Sequence, residues 1–202
     1  MHPTLLAVIS RAWTSDSRAL RTAEHAGAIA FMTALTAAAA QVSAPLPFTP
    51  VPLTFQPMVV LVGGAVLGSR LGMLTQLLYL ALGIAGLPVF AASPMLPQGA
   101  ARLLGPTGGY LMAYPIAAFV TGALAERGFD RRYFTAVVAM ACGLAVIFAG
   151  GVVWLARFTV PAGAISTALA VGFYPFIVAD FAKLLVAAGV MPSLWWLVGR
   201  RM

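Results

Sequence analysis

The chain has 202 residues, of which 61% are hydrophobic and only 8% are charged, and its formal net charge is +7. A soluble domain carries roughly 25% charged residues, so this composition excludes a water-covered globular protein and indicates a single-domain integral membrane protein. The basic excess does not indicate nucleic-acid binding, because no basic stripe with interleaved aromatic residues is present. One cysteine and two histidines are too few for a disulfide framework or a metal cluster.

The chain begins with an apolar stretch, MHPTLLAVIS, that lacks a basic start and a clear cleavage site. We therefore expect no removable signal peptide and assign residues 1–22 to a cytoplasmic N-terminal segment. A spanning helix needs about 20 mostly apolar residues. Six candidate segments follow, at residues 23–42, 57–69, 71–88, 107–125, 133–156 and 174–198.

We therefore predict an all-α integral membrane protein in which a bundle of six transmembrane helices occupies residues 23–198 of one membrane domain, 1–202. Residues 199–202 form a short cytoplasmic tail. Two proline-rich connections, 43–57 and 87–106, predict ordered outer loops. A third connection, 157–173, has room for a short interfacial helix.

The distribution of basic residues predicts the orientation. Nine of the twelve basic residues fall on the same side of the six segments, which we assign to the cytoplasm. They are Arg11, Arg18, Arg21, Arg70, Arg127, Arg131, Arg132, Arg200 and Arg201. Arg102 and Arg157 fall on the outer side, and Lys183 lies within the last segment. Both ends of the chain are therefore expected to be cytoplasmic.

Small residues recur at four-residue spacing on two predicted helices. The first helix carries Ala26, Ala30, Ala34 and Ala38, and the second carries Gly64 and Gly68, with Gly72 at or beyond its end. Such faces allow close approach of helix backbones in a membrane. The spacing alone leaves two interpretations open for the alanine face: packing inside the bundle, or docking onto another membrane protein.

Asp180 and Lys183 are the charged residues predicted to lie deep in a span. Each costs about 2.5–3.5 kcal/mol at a helix centre. They are three residues apart and so share one helix face, where each neutralises the other in part. One interpretation is a structural ion pair, although such pairs contribute weakly to stability because desolvation offsets the attraction. The other is a polar site for a solute or a proton.

Arg102 has two interpretations, a solvated loop residue or a counter-ion for an anionic solute. Uncharged polar residues recur beside apolar ones: Thr54, Gln56, Thr107 and Tyr110, with Tyr114 one turn after Tyr110 and on the same helix face. Phe55 and Phe90 in the outer loops have two interpretations, a cover for a solute or anchors of the loops to lipid. Aromatic residues near predicted span ends are assigned to the interfacial belt: Tyr79, Trp154, Trp195 and Trp196.

The sequence shows no motif that indicates a catalytic site. The GPTGGY stretch lacks the lysine and the following serine or threonine of a phosphate-binding P-loop. No nucleophile–base pair is evident either, so no catalytic residue is assigned. Any energy from ATP must therefore come from another subunit.

Four motifs occur in a characteristic order: PVPLTFQ at 50–56, GLPVFA at 86–91, GPTGGYL at 105–111 and YPFIVADFAK at 174–183. Together they make the chain, from about residue 24 to its end, closely resemble the BioY family, the biotin-specific S components of energy-coupling factor transporters. Ala179 departs from the family pattern, in which glycine is expected before the aspartate, but Asp180 and Lys183 are in place.

The resemblance implies a compact six-helix fold whose outer loops close over one biotin in the bacterial cytoplasmic membrane. It implies partners as well, namely a transmembrane coupling protein and two ATPase subunits, with no cofactor in this chain. It makes the alanine face, Ala26, Ala30, Ala34 and Ala38, the docking face.

On this basis Asp180 accepts hydrogen bonds from the urea N–H groups of biotin. Lys183 donates to the urea oxygen or holds Asp180 ionised, and Arg102 suits the carboxylate tail. The other residues expected to contact biotin are Thr54, Phe55, Gln56, Phe90, Thr107 and Tyr110. The alternative is a self-sufficient proton-coupled vitamin carrier that uses Asp180 as its proton site and Lys183 to tune it.

Overall fold

The computed structural model describes residues 2–8, 17–93, 97–160 and 163–199. Three arginines of the predicted cytoplasmic set, Arg11, Arg200 and Arg201, lie outside the described residues. So do residues 9–16 of the predicted N-terminal segment and residues 200–202 of the predicted tail.

Helices dominate the described part of the chain. Residues 5–8 form one helical turn. The longer elements are α1 (Arg18–Gln41), α2 (Gln56–Leu67), α3 (Ser69–Ile84), α4 (Ala100–Leu104), α5 (Gly108–Ala125), α6 (Tyr133–Leu155), α7 (Ile165–Gly172) and α8 (Tyr174–Gly199). Short 3-10 turns lie at Phe129–Arg131 and Ala156–Phe158, and two short strands, β1 (Ser43–Ala44) and β2 (Leu53–Thr54), form a hairpin.

Each of the six predicted segments overlaps one helix, namely α1, α2, α3, α5, α6 and α8. The predicted bounds are wrong at two starts, because α1 begins at Arg18, within the predicted N-terminal segment, and α3 begins at Ser69. Three stretches of the described chain are long and apolar enough to cross a membrane: Gly108–Ala125, Tyr133–Phe158 and Tyr174–Val198. The apolar helices α2 and α3 are shorter, with 12 and 16 residues. That all six segments cross the membrane therefore stays a prediction. The short helix expected within residues 157–173 is present as α7.

The junction of α2 and α3 depends on glycine. Gly68 separates the two helices and adopts φ +86°, a backbone conformation that side chains other than glycine rarely allow. A Cβ atom at Gly64 would collide with the backbone of Ala118 on α5, and one at Gly122 would collide with the backbone at Gly68 and Ser69. The small residues of α2 therefore serve close packing inside the bundle.

The alanine face of α1 does not pack inside the bundle. Ala26, Ala30, Ala34 and Ala38 are all exposed. The buried face of α1 is partly polar: Thr33 Oγ1 donates to the Thr75 carbonyl at 3.2 Å, and Gln76 Nε2 donates to Thr36 Oγ1 at 3.3 Å. The interpretation of the alanine face as internal packing is therefore wrong, because α1 packs on α3 through its opposite side.

The proline-rich connection after α1 is an ordered hairpin. Ser43 pairs with Thr54 and Ala44 with Leu53 in antiparallel register. Proline fixes its own φ angle, and the turn between the strands contains four prolines: Pro45, Pro47, Pro50 and Pro52. The hairpin brings Thr54 and Gln56 beside α5 and α8, where the site lies.

Candidate functional site

A cleft that is partly open to solvent lies where the hairpin, the loop before α4 and helix α5 meet, with about 360 Å³ of empty space including the open part. We call it the Arg102 cavity. Its lining is mostly apolar and includes a small number of polar groups, as is usual for a small-molecule site. It is lined by Val51, Pro52, Thr54, Gln56, Phe90, Ala91, Arg102, Thr107, Tyr110, Leu111 and Tyr114.

Arg102 is buried in the short helix α4, with only 2% of its surface exposed. One terminal nitrogen, Nη2, donates to the Ala91 carbonyl, whereas Nε has no hydrogen-bond partner among the described residues. Burial lowers the pKa of Arg102, but the ordinary pKa of a guanidinium is so high that the group stays charged at neutral pH. The interpretation of Arg102 as a solvated loop residue is therefore wrong. A buried cation with an unused donor favours an anionic ligand.

Thr107 adds a second unused polar atom to this cavity. It lies at the N-terminal cap of α5, and its Oγ1 is buried without a partner among the described residues. A hydroxyl can donate or accept. The Arg102 cavity is therefore lined by two polar side chains that each have one buried polar atom without a partner among the described residues.

One wall of the Arg102 cavity is a hydrogen-bonded aromatic cluster. Gln56 Nε2 donates to Tyr79 Oη at 2.6 Å, and Tyr79 Oη donates to the Val89 carbonyl at 3.1 Å. The Phe90 ring stands edge-on to Tyr79, with 5.5 Å between centroids, and occupies the space that a Cβ at Gly83 would need. Tyr79 is fully buried, so its assignment to the interfacial belt is wrong.

A second cleft, also partly open to solvent, adjoins the first, with about 370 Å³ of empty space including the open part. We call it the Asp180 cavity. The two cavities share Val51, Pro52, Thr54, Tyr110 and Tyr114, which places them side by side. The remaining lining of the second cavity is Leu53, Pro57, Ile147, Phe148, Phe176 and Asp180.

Asp180 and Lys183 form a salt bridge on the inner side of α8, with 2.7 Å between Oδ1 and Nζ. Lys183 Nζ also donates to the Thr54 carbonyl at 2.7 Å and lies 5.4 Å from the centre of the Phe55 ring. Lys183 therefore ties α8 to the hairpin as well as neutralising Asp180. Asp180 is 8% exposed and lines the second cavity.

Tyr110 connects the two cavities to the end of α7. Its Oη donates to the Gly172 carbonyl at 2.7 Å, which leaves the ring as a wall of both cavities. Tyr114 lies one helical turn further along α5 and lines both cavities as well. Neither hydroxyl was assigned a role from the sequence, although the four-residue spacing indicated a shared face.

The structure brings most of the predicted site residues together. Seven line one or both cavities: Thr54, Gln56, Phe90, Arg102, Thr107, Tyr110 and Asp180. Two do not: Lys183 contacts the site through Asp180 and Thr54, and Phe55 is exposed against Lys183. Sequence reasoning missed the apolar lining from Leu111, Ile147, Phe148 and Phe176, because an apolar residue in a spanning helix carries no signal for a site. It also missed Val51 and Pro52, which lie in the turn of the hairpin.

The chain is similar to known proteins over almost its whole length. A family model described as the BioY family matches residues 13–200. A relative from Pyrococcus horikoshii, called a probable biotin transporter BioY, is 42% identical over 172 residues, which are 85% of this chain and 96% of that protein. The biotin transporter BioY of Thermotoga maritima is 42% identical over 156 residues, which are 77% of this chain and 86% of that protein.

A solved structure shows the same fold. It is a crystal structure at 2.1 Å of the S-component for biotin from an ECF-type ABC transporter. It superposes with a TM-score of 0.77 at 26% sequence identity, and the match covers 89% of this chain and 94% of that one. Because the family model spans both cavities and all four motifs, the sequence resemblance is confirmed. The chain belongs to the BioY family.

Proposed function

We propose that this chain is the biotin-binding S component of an energy-coupling factor transporter and captures biotin for uptake across the membrane. The observation that carries the proposal is the pair of adjoining cavities, with Arg102 buried in one and Asp180 in the other. The relatives are named as biotin transporters, and the similar solved structure is a transporter component and not an enzyme.

The Asp180 cavity is suited to the urea head of biotin. The cyclic urea offers two N–H donors and one oxygen acceptor, and a carboxylate accepts from N–H groups strongly. Lys183 already donates to Asp180 and to the Thr54 carbonyl. This supports Lys183 as the group that keeps Asp180 ionised and in place, in preference to a direct donor to the urea oxygen.

The Arg102 cavity is suited to the carboxylate tail. Arg102 Nε and Thr107 Oγ1 are both buried and without partners among the described residues, so both are free to bind an anionic oxygen. A ligand that spans the two cavities would thus place its donors at one end and its anion at the other. This arrangement selects a molecule that has both groups.

The remaining predicted contacts divide into lining and cover. Thr54, Gln56, Phe90 and Tyr110 line the cavities and would enclose the rings and the aliphatic chain. Phe55 is exposed and stacks on Lys183 from outside. We assign Phe55 an indirect role, in which it shields the Lys183–Asp180 pair from water.

The membrane arrangement and the partners follow from the same family assignment. We propose six spanning helices with both ends in the cytoplasm, in the bacterial cytoplasmic membrane. We propose further that the exposed alanine face of α1 docks onto a transmembrane coupling protein and that two partner ATPase subunits supply the energy of ATP hydrolysis. The exposure of Ala26, Ala30, Ala34 and Ala38 supports this docking face, because small side chains allow close helix contact in lipid.

Binding and uptake measurements test the proposal. The purified chain should bind biotin, and mass spectrometry of the protein as purified should detect biotin when the host medium contains it. Proteoliposomes should take up labelled biotin when the coupling protein and ATPases are co-reconstituted with ATP. Absence of biotin binding would contradict the proposal. Uptake by the chain alone that collapses with the proton gradient would favour the proton-coupled carrier.

A further inference from the structure

The segment Pro88–Ala91 forms part of the cavity wall, and side chains from several elements hold its backbone. Tyr79 on α3 donates to the Val89 carbonyl, and Arg102 on α4 donates to the Ala91 carbonyl. Gln98, just before α4, donates to the Phe90 carbonyl at 3.4 Å. Tyr79 and Arg102 belong to the site described above, and Gln98 lies in the same loop as Phe90.

One further donor comes from α1. Gln41 is the last residue of that helix, and its Nε2 lies 3.3 Å from the Pro88 carbonyl oxygen and 3.4 Å from that of Phe90. The same amide lies 3.4 Å from the Ala37 carbonyl of α1. A single side chain therefore joins the end of α1 to the segment that carries Phe90.

The position of Phe90 matters for the ligand. Its ring is 1% exposed, lines the Arg102 cavity and packs in the space left by Gly83. The outward face of α1, by contrast, is the exposed alanine face. Gln41 thus lies between a helix face that is free in this chain and a wall of the ligand cavity.

We propose that Gln41 is a positioning residue that couples the end of α1 to the Phe90 wall, so that ligand retention and the position of α1 depend on each other. The inference rests on the proposed function, because it takes biotin as the ligand. Coupling of this kind is reciprocal in the binding free energies: if ordering of α1 raises the affinity for the ligand, ligand binding must order the end of α1 by the same free energy.

The first test measures biotin dissociation from the purified chain. Gln41→Met keeps the length of the side chain and removes the donor, whereas Gln41→Lys keeps a donor. We expect Gln41→Met to release biotin about fivefold faster, the effect of one lost hydrogen bond, and Gln41→Lys to stay within about twofold of the unaltered chain. Equal rates for Gln41→Met and the unaltered chain would overturn the proposal.

The second test observes α1 directly. Val42 is exposed beside Gln41, so a nitroxide at Val42→Cys, in a Cys142→Ser background, reports the mobility of the helix end. Without ligand, Gln41→Met should increase the label's mobility. Biotin should reduce the mobility when Gln41 is present and have no effect in Gln41→Met.

Gln98→Met is the matched control, because Gln98 donates to the same Phe90 carbonyl but lies outside α1. It should release biotin faster and yet leave the biotin-dependent change at Val42→Cys intact. A label response to biotin that persists in Gln41→Met would overturn the proposal. Failure of the unaltered chain to bind biotin would instead refute the proposed function, and the ligand-free mobilities would still test the tie to α1.

Discussion

In the Asp180 cavity, the protein itself satisfies the charged groups: Lys183 lies 2.7 Å from Asp180 and donates to the Thr54 carbonyl as well. In the Arg102 cavity, the arginine is more deeply buried, at 2% exposed against 8% for Asp180, but its Nε has no partner among the described residues. The difference suggests separate tasks. On the proposed function, the Asp180 end is built before the ligand arrives, whereas the charge of the ligand completes the Arg102 end.

The largest effect is expected from removal of the Arg102 cation. Arg102→Met should weaken biotin binding by about 3 kcal/mol, more than a hundredfold, because loss of one partner of a buried charge pair costs about 2–5 kcal/mol. Biotin amide lacks the carboxylate and should lose far less. Isothermal titration with both ligands measures the two losses.

Arg157→Met is the control for that experiment. Arg157 is also an arginine assigned to the outer side, but it is exposed and stacks on the Trp154 ring at 4.6 Å. We expect its loss to change biotin affinity by less than about threefold, as for an exposed charge. Equal losses of biotin and biotin amide in Arg102→Met would exclude a carboxylate contact.

The satisfied end is tested by a double-mutant cycle. Asp180→Asn and Lys183→Met should each lower biotin affinity by about 2 kcal/mol, because each leaves the other group of a buried pair without its partner. The double variant should lose clearly less than the sum, with a coupling energy of about 1 kcal/mol or more. Additive losses in the measured dissociation constants would show that the two residues act separately.

The packing of Phe90 in the wall of the Arg102 cavity gives a third test. A Cβ at Gly83 would overlap the Phe90 ring. Gly83→Ala should therefore displace the ring and lower the free energy of unfolding by about 1–3 kcal/mol, a typical cost of overpacking, with weaker biotin binding as a consequence. Gly27→Ala is the control, because no atom lies within 4 Å of a Cβ there. Thermal unfolding and biotin binding are measured for both variants. Equal stability and equal affinity of the two variants would contradict the role of Phe90 in the cavity wall.

A buried carboxyl outside the site provides the smallest expected effect. Asp130, between α5 and α6, accepts a hydrogen bond from Trp195 Nε1 at 2.6 Å through Oδ2, but Oδ1 has no partner among the described residues. Burial raises the pKa of Asp130. The hydrogen bond from Trp195 and the nearby charges of Arg131 and His2 lower the pKa, but burial is the larger effect. Unlike Asp180, this carboxyl has no salt-bridge partner in the described part of the chain.

The sign of the pH dependence follows. A carboxyl with a raised pKa in the folded state stabilises the fold when protonated. That contribution is fully present below the unfolded pKa, about 4, and is lost as pH rises through the folded pKa. Asp130→Asn should therefore gain in melting temperature relative to the unaltered chain as pH rises from about 4 to 8. Parallel melting temperatures across this range would contradict the prediction.

Much of the site was predictable because charge in a lipid-spanning helix is costly and therefore conspicuous. Asp180 and Lys183 could be paired from their spacing alone, since residues three apart share a helix face. Tyr110 and Tyr114 carried the same kind of signal. Arg102 was ambiguous, because a loop residue has no periodicity that tells whether it is buried.

Long-range contacts explain where the sequence interpretation was wrong. Tyr79 near a predicted span end looked like a belt residue, yet it is buried because Gln56 and Val89 converge on its hydroxyl. A ligand contact by Phe55 stays a prediction, and its ring lies 5.4 Å from Lys183 Nζ, outside the lining of the two cavities. Neither outcome is encoded in a local pattern.

The membrane class, the six helical segments and the family could be predicted from the sequence, because apolar length and motif order are local properties of the chain. The tertiary structure alone decided that Lys183 reaches Thr54 across 129 residues of sequence, that Arg102 is buried, and that the alanine face of α1 stays open. These outcomes depend on how separate helices and loops pack against one another, and side-chain spacing within one helix holds no information about the surface it will meet.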